Sequence, residues 1–318
     1  MLDLAPEQEL NLFAEDLLAR LHALGTVERI GGEGRLGADV LVTGWRTPAL
    51  PERRAEAGRI GLVVHSAGTI RKIVPKSLIE DGVRVSQATA GMARSVAEFA
   101  LHLTMSLLRS LHGVDRAMHG AHDWSGASVF GLGTTIAGTR IGVVGASRVG
   151  RIYIELVRAC GAEVVVHDPF LTEAAAQELG VELAGLDELV RSCQVVALHA
   201  PVTDETRGMI SAERLAMIPD GGVLVNTARS AVLDGIALER ELVSGRLSAA
   251  LDVFDTEPLP ADSPLWGLSN VILTPHIGAV TTHSRRSQGV IVVEEIERWC
   301  RGEDLRHEVL ATTYDRLA

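Results

Sequence analysis

The sequence is poor in the features that mark several large classes of protein. Its three cysteines, Cys160, Cys193 and Cys300, stand apart, with no C-x-x-C or C-x-x-H spacing. That excludes the usual zinc motifs and a disulfide framework, and it fits a reducing cytoplasm. No apolar run approaches the roughly 18 residues that a membrane-spanning helix needs. The opening stretch MLDLAPEQELNLFAEDLL is acidic and amphipathic, unlike a signal or transit peptide. Lysine is nearly missing: Lys72 and Lys76 are the only two, and every other basic side chain is arginine. This reads as a compositional bias. A formal net charge of −11 argues against a surface for nucleic acid or anionic lipid. Internal repeats and low-complexity tracts are also missing.

What is present points to a folded protein of two domains. The apolar share is 47% over 318 residues, enough for two cores of ordinary size. Leu10, Phe13, Leu17, Leu18 and Leu21 recur at helical spacing over residues 7–24, ending at Gly25. ADVLVTGW (38–45), IGLVVHSA (60–67) and VRVSQA (83–88) read as buried strands that feed loops. A strand before the first helix would complete a flavodoxin-like layout, but little sequence precedes Glu7. Residues 95–120 carry one long helical pattern, with Ser95 as its expected cap. From 140 to 279 strand and helix signals alternate, which requires crossover connections and hence a parallel sheet covered on both faces. Residues after 280 read as one more amphipathic helix. The expected architecture is α/β: a doubly wound parallel Rossmann sheet at 94–279, and a smaller flavodoxin-like α/β domain from 1–93 and 280–318.

Residues Gly145-Ala146-Ser147-Arg148-Val149-Gly150 follow the pattern G-x-G-x-x-G with serine at its middle glycine. Alone this is a weak signal. Here it sits between a strand, Ile141 to Val144, and a helix opening at Arg148, whose free N–H groups favour a phosphate. Gly150 allows close packing of helix on sheet, and Asp168 ends the next strand, where a carboxylate binds ribose hydroxyls. No basic residue follows Asp168 until Arg191, which favours NAD over NADP. Ser147 has two readings. Its hydroxyl donates to a phosphate oxygen, or its bulk holds the pyrophosphate farther out.

Three further strand ends carry reactive side chains. Arg229 lies in LVNTARSAVLD, Glu257 in AALDVFDTEPLP and His276 in NVILTPHIGA. Ligands of open α/β sheets bind outside the carboxyl ends of the strands. There an arginine can hold a carboxylate through two parallel bonds, and a histidine can protonate an alkoxide near neutral pH. A glutamate beside that histidine favours the imidazolium and fixes its orientation. Each residue alone is commonplace, whereas the three together beside a nicotinamide site form a catalytic group.

In these stretches the chain resembles the D-isomer-specific 2-hydroxyacid dehydrogenases, whose relatives include phosphoglycerate, glycerate and formate dehydrogenases. The resemblance covers roughly residues 38–302 and rests on VGASRVGR, VVALHAPVTDETRGMI, VNTARSAVLD, ALDVFDTEPLP and NVILTPHIG. It implies that Arg229 binds the substrate carboxylate and keto oxygen, that His276 is the acid/base and that Glu257 is its partner. It sets Arg148 and Val149 on the pyrophosphate of NAD, Asp168 on the adenosine ribose and Pro201 near the adenine. Thr227, Ala228 and Asp252 would lie along the nicotinamide half with Gly278 nearby, and Arg229 and His276 reach it too. It also implies a homodimer joined through the nucleotide domain, with a cleft that closes on substrate.

Three stretches depart from that family's pattern. The substrate loop G-x-G-x-D-N becomes HSAGTIRKI, leaving Ala67, Gly68 and Thr69 as candidate substrate contacts and Arg71-Lys72 in place of Asp-Asn. N-A-x-S-V-A-E-H becomes Met92 to Phe99, without the Asn and the His, and one residue is missing between Gly245 and Asp252. Trp45 and Arg46 would line the same pocket. Arg46, Arg71 and Lys72 either favour a substrate with a second anionic group or are solvated surface charge. The expectation is a cytoplasmic NAD(H)-dependent enzyme interconverting a 2-oxo acid and a D-2-hydroxy acid, with no nucleic acid, membrane or metal partner. Two rivals stand beside it: an oxidoreductase of a formate- or phosphite-type acid, and a catalytically idle NAD-sensing regulator on the same fold.

Overall fold

The computed structural model describes residues 1–29, 32–122, 124 and 131–316. They divide into two compact units, Met1–Ser95 with Val280–Ala318, and Val96–Ala279.

The first unit opens with β1 (Leu2–Asp3), α1 (Pro6–Leu12) and α2 (Glu15–Leu24), followed by β2 (Val40–Thr43), β3 (Leu62–His65), α3 (Lys76–Glu80) and β4 (Arg84–Gln87). Its sheet is wholly parallel, in the order β1-β2-β3-β4. The strand ahead of the first helix therefore exists, although it is only two residues long. Outside it the Leu2 N–H donates to the Glu28 carbonyl (2.8 Å), so irregular chain stands where a flavodoxin sheet has an outer strand. The expected single helix over 7–24 breaks at Phe13 and Ala14. That break turns Leu12 and Phe13 both inward, and it leaves Leu10 in solvent rather than on the apolar face.

The second unit begins with α4 (Ala93–Leu108, its first turn still in the first unit) and α5 (Leu111–Ala121). The expected long helix is thus two. The Leu108 carbonyl accepts from the Thr134 N–H (2.8 Å) instead of continuing the ladder, and Ser110 takes the left-handed conformation (φ 47°). Ser95 is not a cap, because a 3₁₀ turn at Ala88–Met92 leads straight into the helix. Its hydroxyl bonds Thr281 instead (2.9 Å). There follow β5 (Arg140–Val144), α6 (Arg148–Ala159), β6 (Glu163–His167), α7 (Glu173–Leu179), β7 (Glu182–Leu183), α8 (Leu186–Ser192) and β8 (Val195–Leu198). The unit closes with α9 (Ala212–Met217), β9 (Val223–Asn226), α10 (Gly235–Val243), β10 (Ser248–Leu251) and β11 (Val271–Leu273).

All seven strands are parallel, in the order β11-β10-β9-β8-β5-β6-β7. A sheet covered by helices on both faces needs apolar side chains on both. Accordingly Val195 and Ala197 pack with one cluster, while Val196 and Leu198 of the same strand pack with the other. The strand order reverses between β5 and β8, the switch point at which open α/β sheets bind ligands.

Helix α11 (Thr282–Cys300) returns to the first unit and packs on α1, α2 and β3. Its Gly289 is sterically fixed, since a Cβ there would lie 2.0 Å from the Leu12 carbonyl oxygen, at the break between α1 and α2. Gly289→Ala should therefore destabilise the first unit by about 1–3 kcal/mol. Gly120→Ala, in α5 with nothing within 4 Å of the new Cβ, should be neutral or stabilising by roughly 0.5–1 kcal/mol. Denaturant unfolding of the two variants, side by side, tests both signs.

Candidate active site

The turn after β5 is built so that backbone can meet an anion. Gly145 has φ 96°, and a Cβ there would lie 2.7 Å from the Ala200 nitrogen, in the loop that follows β8. Gly150 can bear no side chain either: its Cβ would lie 2.1 Å from the Gly145 carbonyl oxygen. The two outer glycines therefore bring the ends of β5 and β8 and the start of α6 into contact. Ser147 stands at the N-cap of α6, and its Oγ accepts from the Gly150 N–H (3.3 Å). Asp168 accepts from the Ala146 N–H through Oδ2 (2.7 Å) and from the Phe170 N–H through Oδ1 (2.8 Å). Two of the turn's N–H groups are thus taken. Those of Arg148 and Val149, in the first turn of the helix, have no intrahelical acceptor by geometry. With the positive end of the helix dipole behind them they fit the pyrophosphate of NAD. Asp168, at the end of β6, fits a ribose.

Ser147 thereby gains a role that neither sequence reading held. Its lone pair caps the helix, while its O–H stays available as a donor. Beside the turn lies His199, which sequence reasoning passed over. It is buried against Tyr153 (4.8 Å between ring centroids), and neither ring nitrogen has a partner among the described residues. Burial lowers its pKa to about 3, so the ring is neutral. Pro201 follows in the same loop, and its carbonyl accepts from the Thr206 hydroxyl (2.6 Å).

At the end of β9 the buried Asn226 shapes the next loop. Its Oδ1 accepts from the Ala228 N–H (3.0 Å), and its Nδ2 donates to the Arg229 carbonyl (2.9 Å). This Asx-type turn folds Thr227, Ala228 and Arg229 over the strand end. The Arg229 guanidinium donates to the Ala228 carbonyl (2.6 Å). The Thr227 hydroxyl is buried and has no partner among the described residues, as expected of a group whose partner is a ligand.

Glu257 and His276 form a pair. The His276 Nδ1 donates to Glu257 Oε2 (2.9 Å), and the Phe254 N–H donates to Oε1 (3.1 Å). Burial alone would raise the Glu257 pKa. The hydrogen bonds from His276 and Phe254, and the charges of His276 and Arg229, outweigh it and hold the carboxyl below its ordinary value. The three candidate catalytic residues are therefore electrostatically coupled. With Nδ1 engaged, the imidazole presents Nε2 outward on a half-exposed ring.

His276 is held in the left-handed region (φ 55°), an uncommon conformation for any residue but glycine. Asp252, just past β10 and 1% exposed, enforces it. Its carboxylate accepts from the Thr274 hydroxyl (2.6 Å) and from the Ile277 and Gly278 N–H groups (both 2.8 Å). Asp252 was expected along the nicotinamide half. Its observed bonds are to the loop that carries His276.

In the first unit Ala67 is fully buried after β3, while Gly68 and Thr69 are part-exposed. The loop is fixed at Ser66, whose carbonyl accepts from Gln288 Nε2 (2.8 Å) and whose hydroxyl accepts from Gln8 Nε2 (3.2 Å). Arg71 donates to the Asp315 carbonyl (2.6 Å), and Lys76 pairs with the Asp315 carboxylate, so this edge is tied to the C-terminal segment. Among the described residues no helix is long and apolar enough to cross a membrane.

The family model of the NAD-binding domain of the D-isomer specific 2-hydroxyacid dehydrogenases matches residues 101–278. The D-3-phosphoglycerate dehydrogenase of Mycobacterium leprae is 36% identical over 84% of this chain and 50% of its own length. The glyoxylate reductase of Korarchaeum cryptofilum is 32% identical over 83% of this chain and 80% of its own. The chain thus spans about half the length of the mycobacterial relative it matches. Among solved structures, that of Rhodotorula graminis D-mandelate dehydrogenase superposes with a TM-score of 0.84 at 21% identity, covering 93% of this chain and 94% of that one. A Thermus thermophilus protein superposes at 0.78 with 28% identity, over 93% and 96%. The chain belongs to the D-isomer specific 2-hydroxyacid dehydrogenases, and residues 101–278 are their NAD-binding domain.

Proposed function

We propose that the protein interconverts a 2-oxo acid and a D-2-hydroxy acid, with NAD as hydride carrier and His276 as acid/base. The observation that carries this reading is the Glu257–His276 hydrogen bond beside Arg229, with Nε2 left outward. The nicotinamide, when bound, supplies or accepts the hydride at C2. Arg229 is the carboxylate anchor, since a planar guanidinium matches a carboxylate through two parallel bonds. In reduction, His276 Nε2 delivers a proton to the oxygen that gains charge at C2. In oxidation, Nε2 takes that proton, and the ionised Glu257 stabilises the imidazolium that forms. Arg148, Val149 and Ser147 are assigned to the pyrophosphate and Asp168 to the ribose. Pro201, Thr227, Ala228, Asp252 and Gly278 are assigned to the rest of the cofactor, and Ala67, Gly68 and Thr69 to the substrate. The names of the curated relatives, D-3-phosphoglycerate dehydrogenase and glyoxylate reductase, point to small, polar acids. The same reading carries a cytoplasmic homodimer, supported by exposed apolar side chains in the second unit, Met105, Leu111 and Leu132.

NADH oxidation across a panel of 2-oxo acids is the direct assay. His276→Ala should lower kcat by about 10²–10⁴ while NADH affinity is unchanged. If wild-type protein binds NADH and turns over no 2-oxo acid, the site belongs to a formate- or phosphite-type donor, or to an idle sensor.

Glu257→Gln tests the pair. Loss of the carboxylate beside the imidazole should lower kcat by roughly tenfold while leaving NADH affinity little changed. In the wild type the Glu257 carboxyl, held below its ordinary value, stays ionised through neutrality. Its contribution to stability is present above the unfolded-state carboxylate range and is lost as pH falls through the folded value.

Ser147 has its own test, in two variants. Ser147→Ala should cost about 0.5–2 kcal/mol of stability through the lost cap, and Ser147→Gly a few tenths. If the hydroxyl donates to phosphate, both variants lose NADH affinity, by about tenfold. Tighter binding in both would show obstruction instead.

A further inference from the structure

One cation in the first unit has no use in the chemistry described so far. Arg285 lies in the second turn of α11, half-buried, with its guanidinium carbon 4.4 Å from the ring centroid of Trp45. Its Nη1 donates to Gln288 Oε1 (3.0 Å), and among the described residues no carboxylate pairs with it. Burial pulls its pKa below the ordinary arginine value, and no neighbouring acid opposes that shift. A partly desolvated charge without a counter-charge is unfavourable on its own. The aromatic face offsets some of that cost and holds the guanidinium plane in one orientation.

The surroundings fix where this charge stands. Trp45 follows β2, and its Nε1 lies 3.9 Å from where a Cβ on Gly68 would be. Gln288, fully buried, holds Arg285 with one end of its amide and the Ser66 carbonyl, at the base of the loop after β3, with the other. Arg285 is thus braced from two sides against the carboxyl edge of a parallel sheet, where open α/β sheets take their ligands. The N-terminal turn of α11 adds positive potential to the same place. Arg71, one of the three cations that the sequence brought forward with Arg46 and Lys72, is tied instead to the C-terminal segment.

We propose that Arg285, stacked on Trp45 and braced by Gln288, is a specificity-determining residue that selects 2-oxo acids carrying a second anionic group, a carboxylate or a phosphate-like group. This rests on the reading of the protein as a 2-oxoacid reductase, but its chemistry, anion recognition by an unpaired guanidinium, is measurable without turnover.

The experiment is calorimetry on the NAD⁺-loaded protein, in which a 2-oxo acid binds without reacting, together with NADH-oxidation kinetics on the same compounds. The probes are 2-oxoglutarate and phosphonopyruvate, with the monoanion 2-oxobutyrate, whose remote end is uncharged, as the comparison. Wild-type protein should bind both dianions more tightly than 2-oxobutyrate, by on the order of tenfold to a hundredfold, the range for one hydrogen bond to a charged group. Arg285→Gln should erase that preference and leave 2-oxobutyrate binding and kcat unchanged, while Arg285→Lys should restore part of it. Trp45→Phe keeps a ring under the guanidinium and should preserve the preference if Arg285→Gln proves unstable. Equal affinity for dianions and 2-oxobutyrate in the wild type overturns the proposal. So does an equal loss for all three compounds in Arg285→Gln, which would mark a structural role. Failure of any 2-oxo acid to bind overturns it as well. If the dianion preference holds and depends on Arg285 while no compound oxidises NADH, the reductase reading fails and the anion site stands.

Discussion

The geometry of the second unit's candidate site depends on one buried carboxyl side chain. Asp252 is 1% exposed, and its two oxygens are met by one hydroxyl and two backbone N–H groups. Ionised carboxylates are costly to bury unless such donors replace the lost water. Here the donors come from both sides of His276, so satisfying the charge and bending the loop are one event. The left-handed φ of His276 follows from this, and with it the direction of the imidazole. Glu257 then only has to meet a ring that is already aimed. Precise reactions need side chains locked by a supporting layer of bonds, and this loop is locked through Asp252 rather than through packing of its own.

The same economy governs the cofactor turn, where shape rather than charge is the constraint. Gly145 and Gly150 are each forced by backbone atoms of neighbouring segments. The position between them is unconstrained in that way, and serine is accepted there because it performs a helix-capping task that a glycine would perform only by exposing backbone to water. The serine therefore marks where steric need ends in this turn, not where the turn has failed.

Legibility in the sequence follows the range of the interaction responsible. Six of the seven strands of the second unit are apolar runs whose pattern is local, and they lie where the pattern puts them, whereas β7 (Glu182–Leu183) is too short to show one. Arg229, Glu257 and His276 were visible because each ends such a strand. The breaks at Phe13 and Ser110 were not. The first depends on burying two adjacent apolar residues at once, and the second on a carbonyl captured by Thr134, in each case a tertiary decision. The strand Leu2–Asp3 is too short to show a period. Asn226 was readable in principle, since Asn before a turn favours an Asx geometry. Trp45 and Arg285 were not, because their contact joins distant parts of the chain and neither residue has a local pattern that names the other.

The first unit repeats the device of Asp252 for a different end. Glu295, 1% exposed within α11, accepts from the Ser86 hydroxyl (2.7 Å) and from the Arg306 and His307 N–H groups (3.0 and 3.1 Å). It ties β4 and the C-terminal segment to the helix, as Asp252 ties the His276 loop to β10. In both cases an apolar residue of equal volume would leave backbone donors orphaned, which is why a carboxyl side chain is retained in a buried place. The two carboxylates differ only in what the captured loop carries. One loop bears His276, and the other continues into the chain end that engages Arg71 and Lys76. That engagement ties down Arg71 and Lys76, whereas Arg285 is held by a ring and an amide and has no carboxylate partner among the described residues.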